Sequence, residues 1–235
     1  MKKTVAISFM CMLLVIGCTT SVHDPILDYP IEFDYDFAKD MQNWQGGFSD
    51  YPEGEEVSFE LEIEHSSLPI PLDESQGAIR QSGNNHSDDL FMFIKRRLTG
   101  LQPNRTYRAT FNIQIATNVP DNVPGVGGSP GESVYIKVGL TQTEPTKQIN
   151  NDGQYIMNLD KGNQAEDGKD MVLIGDFSNN TNEAIYHLKN LDNQEVFEIQ
   201  SDQNGELWAI IGTDSGFEAT TTIFYNKISI ILESK

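Results

Sequence analysis

Five strings along the chain concentrate side chains able to bind or to catalyse. Asn84-Asn85-His86-Ser87-Asp88-Asp89 sets one imidazole, two amides and two carboxylates immediately before an apolar run. Loops at strand ends are where binding groups gather. Asp88 and Asp89 could supply oxygen ligands to calcium, and Asn85, His86 and Asp88 could line a polar edge for sugar hydroxyls. The same residues also make an ordinary turn, since Asn, Ser and Asp side chains hydrogen-bond to nearby backbone. A lone His86 does not make a zinc site.

Gly212-Thr213-Asp214-Ser215-Gly216-Phe217-Glu218 holds two carboxylates, Asp214 and Glu218, in a loop between two strong strands. Paired carboxylates can cleave glycosidic bonds, but their separation in space decides the mechanism, and loop spacing does not set it. The same two groups could hold a ligand without catalysis. A Gly-x-Ser-x-Gly string is absent, which removes one common serine hydrolase signature. Asp160-Lys161-Gly162-Asn163, followed by Glu166-Asp167-Gly168-Lys169-Asp170, offers Asp160 and Asp170 as further calcium ligands. It lacks EF-hand spacing and equally suits a solvated acidic loop.

Gly125-Val126-Gly127-Gly128-Ser129-Pro130-Gly131 has no Gly-Lys-Ser/Thr ending and precedes a strand, so it is not a phosphate-binding P-loop. It reads as a mobile surface loop, or as backbone N–H groups lining a site beside Glu132. Asn43-Trp44-Gln45-Gly46-Gly47-Phe48-Ser49-Asp50-Tyr51-Pro52 interleaves aromatics with amides and a carboxylate. Trp44 could stack on a sugar face while Gln45 and Asp50 bond its hydroxyls; alternatively Trp44 and Phe48 plug the end of a sandwich.

The elements that must position these strings are strands. Alternation at Val57-Phe59-Leu61-Ile63, Tyr107-Ala109-Phe111-Ile113-Ile115, Val134-Ile136-Val138-Leu140 and Ile223-Tyr225-Ile228-Ile230-Leu232 places each set on one face. Shorter β-rich runs are expected at 32–37, 90–94, 155–159, 171–177, 196–200 and 207–212. The run Leu90–Ile94 is continuously apolar, so it is expected to be central and covered on both faces. Asn204-Gly205 predicts a type I′ hairpin pairing 196–200 with 207–212. Helical periodicity over ten or more residues is absent after the leader, although residues 37–43 could make a turn or two. About ten strands with polar turns and no fixed repeat predict one all-β domain, a jelly-roll-like antiparallel β-sandwich over residues 31–235.

Composition bounds the function. The chain has 235 residues and a formal charge of −19. Residues 1–17 carry two lysines and no acidic residue, so their removal takes the charge to −21. Such a domain repels nucleic acid and anionic membrane surfaces. Cys11 and Cys18 are the only cysteines, so the folded part has no thiol for a disulfide, zinc or nucleophilic catalysis.

Lys2 and Lys3 precede an apolar run over residues 5–16, too short to span a bilayer as a helix and fitting a secretory leader. Its end, Leu14-Val15-Ile16-Gly17-Cys18, resembles the lipobox of bacterial lipoproteins, with Ile16 where a small residue is more usual. The resemblance implies cleavage after Gly17 and lipid on Cys18. More than one acyl chain anchors a protein stably. Residues 18–30 then form the lipidated cysteine and a polar, proline-containing tether. Thr19, rather than Asp, implies the outer membrane if the host is Gram-negative.

The opening Glu32-Phe33-Asp34, the early Trp44 and the closing Phe224-Tyr225-Asn226-Lys227-Ile228-Ser229-Ile230 resemble jelly-roll carbohydrate-binding modules. Asn226-Lys227 stands where those modules often carry an acidic pair. That resemblance implies a non-catalytic module of the cell envelope binding a polysaccharide, with calcium as the one cofactor in view. An assembly lipoprotein holding another envelope protein, and a hydrolase using Asp214 and Glu218, are the alternatives.

Overall fold

Alternating apolar residues become strands only where a second sheet can cover them, and two sheets do so here. The computed structural model describes residues 29–235; the leader, Cys18 and the tether up to residue 28 lie outside the described residues. In chain order the strands are β1 (Ile31–Asp36), β2 (Gln45–Ser49), β3 (Tyr51–Pro52), β4 (Glu62–Ser67), β5 (Gly77–Asn84), β6 (Leu90–Leu98), β7 (Thr106–Thr117) and β8 (Val134–Thr141). They continue as β9 (Lys147–Ile149), β10 (Gln154–Met157), β11 (Met171–Asp176), β12 (His187–Asp192), β13 (Phe197–Gln200), β14 (Leu207–Ser215) and β15 (Thr220–Ser234). No helix occurs among the described residues.

The first sheet runs β12-β7-β15-β5-β4, with β13 adding to β7 and β1 adding to β15. The second runs β11-β8-β14-β6-β2, and β3-β10-β9 form a small third sheet. Every pairing is antiparallel, so the protein is an all-β, jelly-roll-like sandwich. Phe111, Ile113 and Ile115 from the first sheet and Ile136, Val138 and Ile211 from the second are all buried in one core. Buried Gln81 on β5 crosses that core, donating from Nε2 to the carbonyls of Gly47 (2.9 Å) and Phe93 (3.1 Å). These two bonds use both amide hydrogens and offset part of the cost of burying the group, while Oε1 has no partner among the described residues.

In β15 the buried positions change parity, from Ile223 and Tyr225 to Ile228, Ile230 and Leu232. A bulge absorbs the change. Tyr225 pairs with Ile115 and Lys227 with Gln114, leaving Asn226 as the extra residue. Asn226 is buried and donates from Nδ2 to the Gly77 carbonyl at 2.9 Å. It is thus a fold residue at the position where the resemblance places an acidic one.

Leu90–Ile94 is covered on both faces as expected. Leu90, Met92 and Ile94 enter the main core, while Phe91 and Phe93 pack outside it with Met157, Met171 and Ile210. Two expectations are corrected. Val57–Ile63 is not one strand: Val57 is exposed, Phe59 is buried in a turn, and β4 begins at Glu62. The Asn204-Gly205 hairpin is also absent, because β13 pairs with β7 in the first sheet and β14 with β6 and β8 in the second. Only Gly205 of the pair has a positive φ (72°), whereas a type I′ turn needs two. The turn instead carries the chain between sheets, with Gly205 so close to the Leu101 carbonyl that no side chain fits.

Candidate functional site

Three of the sequence candidates, Asp50, Asp89 and Asp214, converge on the outer face of the second sheet, where the 158–170 loop covers them. Lys137, outward on β8 and wholly buried, donates to the backbone carbonyls of Lys161 and Glu166, both at 2.8 Å. It thereby fastens the 158–170 loop over the sheet. Lys161 Nζ then lies 2.9 Å from Asp214 Oδ2, 3.5 Å from Asp50 Oδ2 and 3.8 Å from Asp89 Oδ1. Lys137 Nζ reaches the same Asp214 oxygen at 3.2 Å, and the Gln164 N–H donates to it at 2.9 Å. Burial works against the Lys161 ammonium, but the three carboxylates outweigh it and raise its pKa. Burial lowers the pKa of Lys137, with Asp214 opposing.

Asp50 is pushed up by burial against the pull of Lys161. Asp89 is pushed to about 6, by burial first and then by the charges of Asp214, Asp50 and Asp88, with Lys161 opposing. A folded-state pKa above the ordinary carboxylate value means that ionising Asp89 destabilises the fold as pH rises from about 4 through 6. Because 42% of that side chain is exposed, solvent screening discounts the effect to about 1 kcal/mol. Asp89→Asn therefore raises the thermal midpoint near neutral pH and leaves it unchanged near pH 4. An equal shift at both pH values would contradict this assignment.

The other candidates scatter. Asn85, also buried, donates to the Ser215 and Phe217 carbonyls (2.8 and 3.0 Å) and accepts from the Ser87 N–H, so it stitches two loops together. His86 is exposed, edge-on to Phe59 and 3.2 Å from the Ser58 carbonyl. Asp88 is exposed and its carbonyl accepts from Gln164. Glu132 accepts from the Asn122 N–H and the Ser129 hydroxyl, which lower its pKa and pin the loop around residue 122. Glu218 is exposed beside Gly127, whereas Asp214 is wholly buried, so the two carboxylates do not share an open cleft. The glycine-rich loop packs against the 216–218 turn: Val126 accepts from the Glu218 N–H, and Gly127 (φ 71°) abuts the Gly216 carbonyl.

Trp44 is buried, edge-on to Tyr35 at 5.3 Å and to Phe37 at 6.4 Å, so it plugs the sandwich and offers no face to a ligand. Gln45 is exposed on β2 beside Lys95. Asp160 accepts from the Gly162 and Lys169 N–H groups, which lower its pKa, and Asp170 accepts from the Asp160 N–H. These contacts close the loop on itself. Among the described residues, no three His, Cys, Asp or Glu side chains are grouped to hold a metal ion.

The first sheet presents the open face, and sequence reading missed it. Register sets two polar rows across four strands. One is Asn190, Gln114, Lys227 and Asp36; the next is Asp192, Asn112, Ser229 and Asp34. Together they line a groove of about 480 Å³. The first row is paired within itself: Gln114 Nε2 donates to Asn190 Oδ1 at 2.9 Å, and Lys227 Nζ lies 2.8 Å from Asp36 Oδ2. The Lys227 hydrogen bond holds the Asp36 pKa below its ordinary value. In the second row Asp192 gives one oxygen to Gln194, while Asp34, Asn112 and Ser229 make no side-chain hydrogen bond among the described residues. Alternation marks each of these as outward, but only register shows that they are neighbours.

Fold and groove together define an antiparallel β-sandwich with an open groove, bearing two rows of polar side chains, on one sheet face. No protein-family model matches the chain, and no curated protein does. Among solved structures it is similar to the CBM22-1 xylan-binding domain from Paenibacillus barcinonensis Xyn10C, at 10% identity over 86% of this chain and 94% of that one, TM-score 0.42. It is also similar to TmCBM27, a carbohydrate-binding module studied for specific mannan recognition (11%, 88% and 99%, TM-score 0.37). A third is a cleaved adhesin domain of Lys-gingipain from Porphyromonas gingivalis (12%, 85% and 97%, TM-score 0.35).

Proposed function

We propose that this chain is a lipid-anchored, non-catalytic glycan-binding module of the bacterial cell envelope, and that the groove on the first sheet is its binding site. The observation that carries the reading is the second polar row. Asp34, Asn112 and Ser229 point out of a rigid sheet, beside a row already paired within itself, with donors and acceptors uncommitted. Sugar hydroxyls both donate and accept, so an amide, a hydroxyl and carboxylates in line suit them. A rigid strand face limits the ordering cost of binding. The buried Asp214 has two lysines on it and acts as a structural anion in this reading rather than a general acid or base.

The lipobox at Cys18 supports anchoring, and Thr19 supports the outer membrane in a Gram-negative host. Labelling with a radioactive fatty acid tests both together with fractionation; a Cys18→Ser chain that still takes label removes the anchor from the proposal. For the groove, a glycan array run in calcium and in chelator separates direct hydroxyl recognition from recognition through an ion. Against the best ligand, Asn112→Ala and Asp34→Ala should each weaken binding about tenfold or more, the loss of one to two hydrogen bonds. Both positions are exposed, so thermal midpoints should stay as they are. Wild-type affinity in both variants would exclude the groove, and no glycan bound in either condition would exclude the function.

A further inference from the structure

Resting on that reading, we infer that the groove selects amine-bearing glycans, such as glucosamine polymers, over neutral ones and rejects uronic-acid polymers. Asp34, Asp36 and Asp192 supply three carboxylates to the lining, and Lys227 is the one cation among them. Asp36 already neutralises that lysine at 2.8 Å. What remains is two carboxylates, Asp34 and Asp192, at opposite ends of the second row, separated by three strand spacings or about 14 Å. Between them lie Asn112 and Ser229, which are neutral and suited to hydroxyls. The row therefore offers an aminosugar chain a carboxylate for an ammonium at each end and neutral partners for hydroxyls between them.

Two further features point the same way. No aromatic ring face lies in the row; Tyr35, the aromatic in the lining, is 7% exposed and packs inward against Trp44. Recognition must then come from hydrogen bonds and charge, and bonds to an ionised carboxylate are the stronger kind. The chain as a whole carries a charge of −19, so its long-range field draws cationic chains in and repels polyanions.

The test is calorimetric titration of the wild-type domain with three soluble oligomers of equal length: glucosamine, N-acetylglucosamine and galacturonic acid. Mildly acidic buffer keeps the amines charged, and oligolysine serves as a fourth probe. The glucosamine oligomer should bind about tenfold or more tightly than its acetylated form, and added salt should narrow that gap. Galacturonate should give no heat. The Asp34→Asn, Asp192→Asn double variant should lose the preference, its affinity for the glucosamine oligomer falling about tenfold or more, toward its own affinity for the acetylated one. An equal or stronger response to galacturonate or to the acetylated oligomer overturns the inference but leaves the groove as a glycan site. Oligolysine binding as tightly as glucosamine also overturns it, since charge alone would then suffice. Silence from all four probes overturns the inference as well, and the glycan array separately decides whether the groove binds a glycan.

Discussion

Replacing Lys161 by Met is expected to cost the fold about 3–5 kcal/mol near neutral pH, the usual penalty for removing one partner of a buried charge group. Its ammonium is the common counter-ion of Asp214, Asp50 and Asp89. Asp214 is fully buried, and its other oxygen has no hydrogen-bond partner among the described residues. Without Lys161, only Lys137 remains to compensate three carboxylates. Urea denaturation would read the loss as a lower midpoint at unchanged slope. The loss should also be smaller near pH 5 than near pH 8, because Asp89, with a pKa of about 6, is mostly protonated at the lower value. A loss under about 1 kcal/mol, or one independent of pH, would mean that the lysine is not the hub of the cluster.

Trp44→Ala is expected to be as damaging, again about 3–5 kcal/mol, through the cavity left at the end of the sandwich. Trp44 fills the space between Tyr35 and Phe37, and its indole N–H has no partner among the described residues. Trp44→Phe should therefore cost only the volume difference, roughly 1–2 kcal/mol. The two variants separate a packing role from a binding one. A stacking platform would lose ligand affinity in both variants while keeping its stability. A plug loses stability in proportion to volume, and its folded fraction still binds. Parallel measurements of urea midpoint and glycan affinity decide between these patterns.

Strand content was legible where one face is apolar and the other polar. Tyr107 to Ile115 and Val134 to Leu140 appear in the structure within a residue or two of their expected limits. β5 was not legible: its buried positions include Gln81 and Ser82, which read as surface until the second sheet supplies the carbonyls for Gln81 and the neighbouring β15 supplies Thr222 for Ser82. Val57 misled for the opposite reason. It keeps the alternation going into a turn, where nothing covers it. Asn204-Gly205 carries real turn chemistry, but turn residues report only the local backbone. Whether the next strand pairs or crosses to the other sheet depends on which face of each strand must reach the core, and that is a property of distant residues.

The candidate strings fared according to what else could reach them. Asp50, Asp89 and Asp214 do meet, yet around a lysine that was read only as part of an acidic loop. Asn85, Glu132, Asp160 and Asp170 spend their side chains on backbone donors and acceptors in their own or adjoining loops. Loop strings rich in Asn, Asp and Ser look alike whether they bind a ligand or brace a turn, because the same atoms serve both ends.

What the sequence determined alone was the all-β character, the absence of cysteine after Cys18 and the acidity that disfavours nucleic acid. Each follows from composition or from period-2 patterning, which need no knowledge of neighbours. Tertiary structure alone decided which sheet face is open. Asp34, Asn112, Asp192 and Ser229 are far apart in the chain and ordinary one by one. They become a row because antiparallel register brings β1, β15, β7 and β12 side by side, while Lys137 and the 158–170 loop close the opposite face.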